Sequence, residues 1–332
     1  MINILTYNQI DQQQWQELIE ASATATWFQT DEAYQFYASV SEMVPFATAV
    51  ENNGKLRAVC VGYTTQETHT IKQYLTCRAI IIGGPLLADD ATDEEVAALL
   101  QAIRRLGDKA IYVETRNFHD YSRWKEVFQK YGFTYQPHLN FHVDTTQPWE
   151  MIENNIGKHR RKYIRLSYRD GVEVALEPTL QQVKEYYAVL QDLYRTKVKM
   201  PLQPWVFFER LYRLPSCKYL LVLYNNQVVG GSICMTLKDH GVYEWYACGK
   251  DGVYRNIHPS SVTKYIGMKY ASDNGYKVFD MMGAGKPNEA YGVRDFKAEF
   301  GGKLVEHGRF LLVRKPLLYW IGKTGIKLLK RK

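Results

Sequence analysis

The residues from Phe279 to Gly302, FDMMGAGKPNEAYGVRDFKAEFGG, hold the densest chemistry in the chain. Asp280 follows the apolar strand core Val278-Phe279, and the chain then runs through Gly283 and Gly285. Glycines after a strand permit positive φ and close approach of the backbone to a ligand. A plain surface turn would use them equally well. Phe296 and Phe300, four residues apart, anchor a short helix and leave Lys297 on another face. An ammonium there would bind a phosphate or stabilise an oxyanion, or sit in solvent as most lone lysines do.

A second carboxylate lies in Tyr243-Glu244-Trp245-Tyr246. Strand alternation places Tyr243 and Trp245 on one face and Glu244 and Tyr246 on the other. Glu244 is a candidate general base, as are Asp280 and a substrate carboxylate, or else a charged edge-strand residue. On a helix through Met151–Arg169, Lys158, Arg161, Lys162, Arg165 and Arg169 share one face. That face is solvated or meets an anion. Arg160 projects to the other side, with Ile156, Tyr163 and Ser167. Its guanidinium is never neutral, so it needs an acceptor: either a carboxylate inside the protein or a ligand in a cleft.

Other chemistries lack their motifs. No GxGxxG, GxxxxGK[ST], GxSxG or HExxH occurs. The five cysteines are Cys60, Cys77, Cys217, Cys234 and Cys248, none in CxxC or CxxH spacing. A reduced compartment with no disulfide framework and no metal site is expected. The N-terminus has no signal-peptide pattern, and no apolar run approaches the ~20 residues of a membrane span. The expectation is a cytoplasmic monomer with no bound cofactor. The net charge of +7 favours anionic partners, although solubility explains it as well.

The chain has 332 residues, 46% of them apolar, which predicts two globular domains. Helices are expected at Ile10–Ala21, Asp31–Val40, Thr92–Arg105, Tyr121–Tyr131, Leu180–Thr196 and Ser260–Asn274. Strands are expected at Phe46–Val50, Ala58–Tyr63, Ala79–Ile82, Ala110–Glu114 and Leu139–Val143. Further strands are expected at Tyr219–Tyr224, Val228–Met235, Val242–Ala247 and Val278–Met281. The two halves share this α/β grammar, and the boundary is placed at 147/148. The tail from Arg314 to Lys332 mixes Leu317, Trp320 and Ile321 with lysines after Pro316, a helix start. It would lie on an anionic membrane surface or pack on its domain. Packing is expected, with the last basic residues free to meet phosphates.

The strand–turn–strand around Gly230-Gly231 resembles a GNAT acyltransferase sheet, but its pyrophosphate loop [QR]xxGxG[AG] is missing. Residues 250–256, KDGVYRN, stand in its place. With Gly83-Gly84-Pro85, the basic helix KHRRKYIRLSYRDGVEV, VVGGSICMTL, Asn274-Gly275 and DFKAEFGG, the chain resembles the Fem family of non-ribosomal peptidyltransferases. The resemblance implies two tandem GNAT-like domains of mixed α/β class. It implies an aminoacyl-tRNA donor and a peptidoglycan (muropeptide) precursor as acceptor. Phe296-Lys297 is similar to the family's Phe-Lys pair, whose lysine stabilises the transition state. Tyr246 is similar to a tyrosine near the precursor, and Arg160 or Arg161 to an arginine on its phosphate. The long coiled-coil arm of tRNA-dependent members is absent. An acyl-CoA-dependent N-acetyltransferase and a non-catalytic precursor-binding protein remain as alternatives.

Overall fold

A computed structural model describes residues 1–67 and 70–329. The first part of the chain carries β1 (Ile2–Thr6), β2 (Met43–Asn52), β3 (Lys55–Thr65), β4 (Ala79–Gly83), β5 (Leu86–Leu87), β6 (Tyr112–Asn117) and β7 (Thr134–Gln136). Among them lie α1 (Gln12–Ala21), α2 (Asp31–Ser39), α3 (Thr70–Thr76), α4 (Asp93–Leu106) and α5 (Lys125–Lys130). Next come β8 (Leu139–Asp144), β9 (Val172–Ala175), β10 (Cys217–Tyr224), β11 (Gln227–Thr236), β12 (Gly241–Gly249), β13 (Val278–Gly283) and β14 (Lys303–Glu306). Their helices are α6 (Trp149–Asn155), α7 (Lys158–Arg169), α8 (Leu180–Leu193), α9 (Trp205–Tyr212), α10 (Pro259–Asp273) and α11 (Gly292–Ala298). The chain closes on β15 (Arg309–Val313) and α12 (Pro316–Leu329).

Local signals account for many boundaries. Thr92 and Glu95 close a capping box at the start of α4: Thr92 Oγ1 accepts from Glu95 N at 3.3 Å, and Glu95 Oε2 accepts from Thr92 N at 2.9 Å. The hairpin turns use positive φ at Asn53 and Gly54, and at Asn225 and Asn226. The basic helix read through Met151–Arg169 is broken in two at Gly157. There the Gly157 N–H donates to Glu299 O at 2.8 Å, and a Cβ would press on that oxygen at 3.3 Å.

Two compact units form, one of Met1–His138 with the chain from Glu306 onward, the other of Leu139–Val305. This corrects the boundary at 147/148. The first sheet runs β1-β2-β3-β4-β6-β15-β7, and the second β14-β8-β13-β12-β11-β10-β9. β8 leaves the first half to pair with β13, whereas β15 returns to sit between β6 and β7. The two sheets therefore have one topology, and each is completed by a strand that follows the other's edge strand in sequence. Pairing rather than sequence proximity decides membership, because an unpaired strand leaves its backbone groups unsatisfied.

One difference separates the units. The parallel pair β4·β6 stays in register from Ala79↔Val113 to Gly83↔Asn117. The parallel pair β12·β13 is in register only from Gly241↔Val278 to Tyr243↔Asp280. Beyond that point the two strands continue to Gly249 and Gly283 and part. The second core lies between this sheet and α10, with Cys234, Val242, Val262, Ile266 and Phe279 buried together.

Candidate active site

The parting of β12 and β13 opens a cavity of about 350 Å³ in the second unit, lined among others by Glu244, Thr263, Lys264, Met282, Phe296 and Lys297. Two features of backbone geometry make it.

The first is the end of β13. Asp280 is buried, and its Oδ1 accepts from Met282 N at 2.7 Å. Its Oδ2 meets Asn140 Nδ2 at 3.4 Å and His142 Nε2 at 3.2 Å, both from β8. The Asp280–Met282 bond closes a tight turn that holds Met282 at φ 60°, a left-handed conformation uncommon for a non-glycine residue. The carbonyls of residues 281–283 then converge on Lys297 from α11. Its Nζ donates to Met281 O at 2.5 Å, to Gly283 O at 2.9 Å and, more weakly, to Met282 O at 3.3 Å. Burial lowers the Lys297 ammonium to about 8, and the charge of Asp280 opposes that fall. For His142, burial pushes the imidazole down, but the charge and hydrogen bond of Asp280 outweigh it, and the net shift is upward.

The second is a bulge in β12. The register with β11 shifts so that Ile233 faces Tyr246 while Cys234 faces Glu244, leaving Trp245 extra. Glu244 points to α10, where its Oε2 contacts Lys264 Nζ, and both side chains are buried. Burial pushes the Lys264 ammonium well down, and the charge of Lys297 acts in the same direction. Glu244 Oε1 and Thr263 Oγ1 are buried without a hydrogen-bond partner.

The bulge overturns the expected alternation. Tyr246 lies across the sheet from Glu244, packed on Phe208 with ring centroids 5.1 Å apart and on Phe207 at 6.2 Å. Simple alternation fails because one extra residue reverses every side chain beyond it. Arg160 takes the internal option: Nη2 donates to Glu299 Oε1 at 2.9 Å, Nη1 to Ser261 Oγ at 3.3 Å, and the guanidinium lies 4.6 Å from the Phe296 ring centroid. It thus fastens the α11 segment carrying Lys297 to α7 and α10. Arg161 stands on the outer side of α7, where Nη1 donates to Asn154 Oδ1 at 3.1 Å. The positive φ expected of the glycine pair falls on Met282 and Gly285, not on Gly283. Gly285 holds a turn under Tyr291, whose Cδ1 a Cβ would meet at 2.9 Å, and its carbonyl accepts from Leu139 N at 2.8 Å.

The structure therefore brings together Lys297, Phe296, Glu244 and Gly283 at the cavity, with Asp280 bracing its wall. Tyr246, Arg160, Arg161 and Gly285 have the other placements described. Sequence reasoning missed Lys264, Thr263, His142 and Asn140. For Lys264 the available signal was a lysine among the buried residues Val262, Thr263, Ile266 and Gly267 of one helix.

The loop before α10 has its own charge arrangement. Asp251 Oδ1 accepts from Ser260 N at 3.2 Å in the first turn, and Ser261 N donates to His258 O at 3.0 Å. Pro259 has no N–H to offer.

Comparison with known proteins agrees with this architecture. The acetyltransferase (GNAT) domain family matches residues 153–297. No curated protein matches the sequence significantly. Among solved structures, FemX superposes with a TM-score of 0.72 at 14% identity, over 96% of this chain and 99% of that one. L-PGS from Bacillus licheniformis gives 0.57 at 14%, over 92% of each chain. A tandem GNAT protein from the clavulanic acid biosynthesis pathway gives 0.57 at 7%, over 94% and 99%. The chain thus carries a match to the GNAT domain over residues 153–297 and is built as two GNAT-like units with the fold of FemX.

Proposed function

We propose that the protein is a Fem-like aminoacyltransferase that moves an activated aminoacyl group onto an amine of a peptidoglycan precursor, with aminoacyl-tRNA as donor. The observation that carries this reading is the buried Lys297 ammonium at the parted strands. A neutral amine of the acceptor attacks the ester carbonyl, forming the amide C–N bond. The C–O bond to the donor hydroxyl breaks, and the amine proton leaves for a base while the departing oxygen takes one up. The third N–H of Lys297, only weakly engaged by Met282 O, is the one available to the developing oxyanion. Such a donor is worth about 3 kcal/mol, and holding both substrates in register about 7–11 kcal/mol.

Glu244 is the favoured base. Its Oε1 has no partner, while Asp280 is occupied by Met282, Asn140 and His142. Lys264, in contact with Oε2, orients the carboxylate.

The acyl-CoA alternative requires a pyrophosphate at the start of α10. Asp251 already occupies the Ser260 N–H there, and its carboxylate would repel such a group. A donor screen decides: charged tRNAs and acetyl-CoA are each offered with a muropeptide precursor, and the product mass is read. An aminoacyl mass increment with charged tRNA supports the reading. An acetyl increment, or precursor binding without transfer from any donor, overturns it.

A further inference from the structure

We propose that α3 and α12 of the first unit together form a docking face for an anionic bilayer surface. Ile71, Tyr74 and Leu75 of α3 are exposed, as are Leu317, Trp320 and Ile321 of α12; Ile71 and Leu317 reach 77% and 71% exposure. Positions 317, 320 and 321 form one stripe at i, i+3 and i+4. The other side of α12 is docked: Tyr319 meets Tyr112 edge-on at 5.5 Å. Packing, the expectation for this tail, thus uses one side of the helix and leaves the apolar stripe outside, while the last basic residues, expected to meet phosphates, lie outside the described residues.

The two helices meet at Lys315. Its Nζ lies 4.2 Å from the Tyr74 ring centroid and donates to Lys109 O at 3.0 Å. That contact sets α3 beside the start of α12, so the six exposed apolar side chains lie on neighbouring helices. Charge identifies the occupant. From Lys315 to Lys332 there are six Lys and Arg and no Asp or Glu, against a whole-chain surplus of +7. The rest of the chain is therefore close to neutral. A second copy would bring the same positive charge to the face and be repelled. A nucleic acid would leave Leu317, Trp320 and Ile321 uncovered. An anionic bilayer satisfies both the stripe and the charge. No helix among the described residues is long and apolar enough to cross a membrane, so α12 would lie along the surface.

The test is co-sedimentation of the full chain with vesicles of phosphatidylglycerol and phosphatidylcholine, or of phosphatidylcholine alone. Binding to the anionic vesicles only is expected. Trp320→Glu and Ile71→Glu should each weaken it about tenfold or more, and Lys323→Ala about fivefold. Because these side chains are exposed, thermal melts of the variants should overlay the wild type. Absence of binding to anionic vesicles overturns the proposal, as does binding that Ile71→Glu and Trp320→Glu leave intact. A dimer that Trp320→Glu dissolves, with no vesicle binding, would assign the face to a second copy instead. No turnover is read, so failure here leaves the acyl-transfer reading standing.

Discussion

Asp280 holds Met282 in a left-handed turn through a 2.7 Å hydrogen bond, and that turn aims three successive carbonyls at Lys297. A strand end has become a cation holder without any glycine at its centre. The strain at Met282, of order 1–3 kcal/mol, is offset by the buried bonds of Asp280 and Lys297.

Lys297→Met should lower kcat about 10²–10³-fold, the usual loss on removing one oxyanion donor. The fold should persist with a somewhat lower melting temperature, because Met281 O, Met282 O and Gly283 O lose their donor while a buried charge is removed. Wild-type turnover in this variant would remove Lys297 from the mechanism.

The rate should fall on the alkaline side as Lys297 loses its proton near pH 8. Asp280 is the influence that raises the Lys297 pKa, so Asp280→Asn should move this limb to lower pH. The same substitution should bring the His142 titration, followed by NMR, back down toward or below its ordinary value. The same lysine makes stability depend on pH. Between about pH 8 and the ordinary 10.5, the unfolded chain binds the lysine proton and the folded one does not, so this group's contribution to stability rises with pH across that window. An alkaline limb that Asp280→Asn leaves in place would detach it from Lys297.

Glu244→Leu or Lys264→Met alone should cost about 3–5 kcal/mol, since each strands a buried charge. The double variant should recover most of that loss in denaturant melts while remaining inactive. Additive losses would mean that the two residues are not coupled.

Arg160→Ala should reduce both stability and kcat, because Glu299 and Phe296 lose the group that secures α11. Arg161→Ala should change stability by less than about 0.5 kcal/mol. A rise in KM for precursor confined to Arg161→Ala would give that outer arginine the phosphate contact.

The helices α1, α4 and α10 and the hairpins at Asn53 and Asn225 were legible because caps, periodicity and turn residues are local. The short strands β1, β5, β7, β9, β14 and β15 were not recognised, since too few residues carry a pattern. The face of Tyr246 was misread for a different reason: a bulge has no sequence mark of its own. Arg160 was left between two partners, and only the position of Glu299, 139 residues away, chose one.

The sequence by itself determined the element types over most of the chain, the absence of nucleotide-loop and hydrolase motifs, and the importance of the 279–302 segment, because these depend on neighbours along the chain. Only the tertiary structure decided which strands complete which sheet, that β12 and β13 part, and that Lys297, Glu244 and Lys264 meet at one cavity. Those outcomes depend on pairing and burial between residues far apart in sequence. It is the resulting loss of water that turns two ordinary lysines beside a buried glutamate into groups with shifted proton affinity.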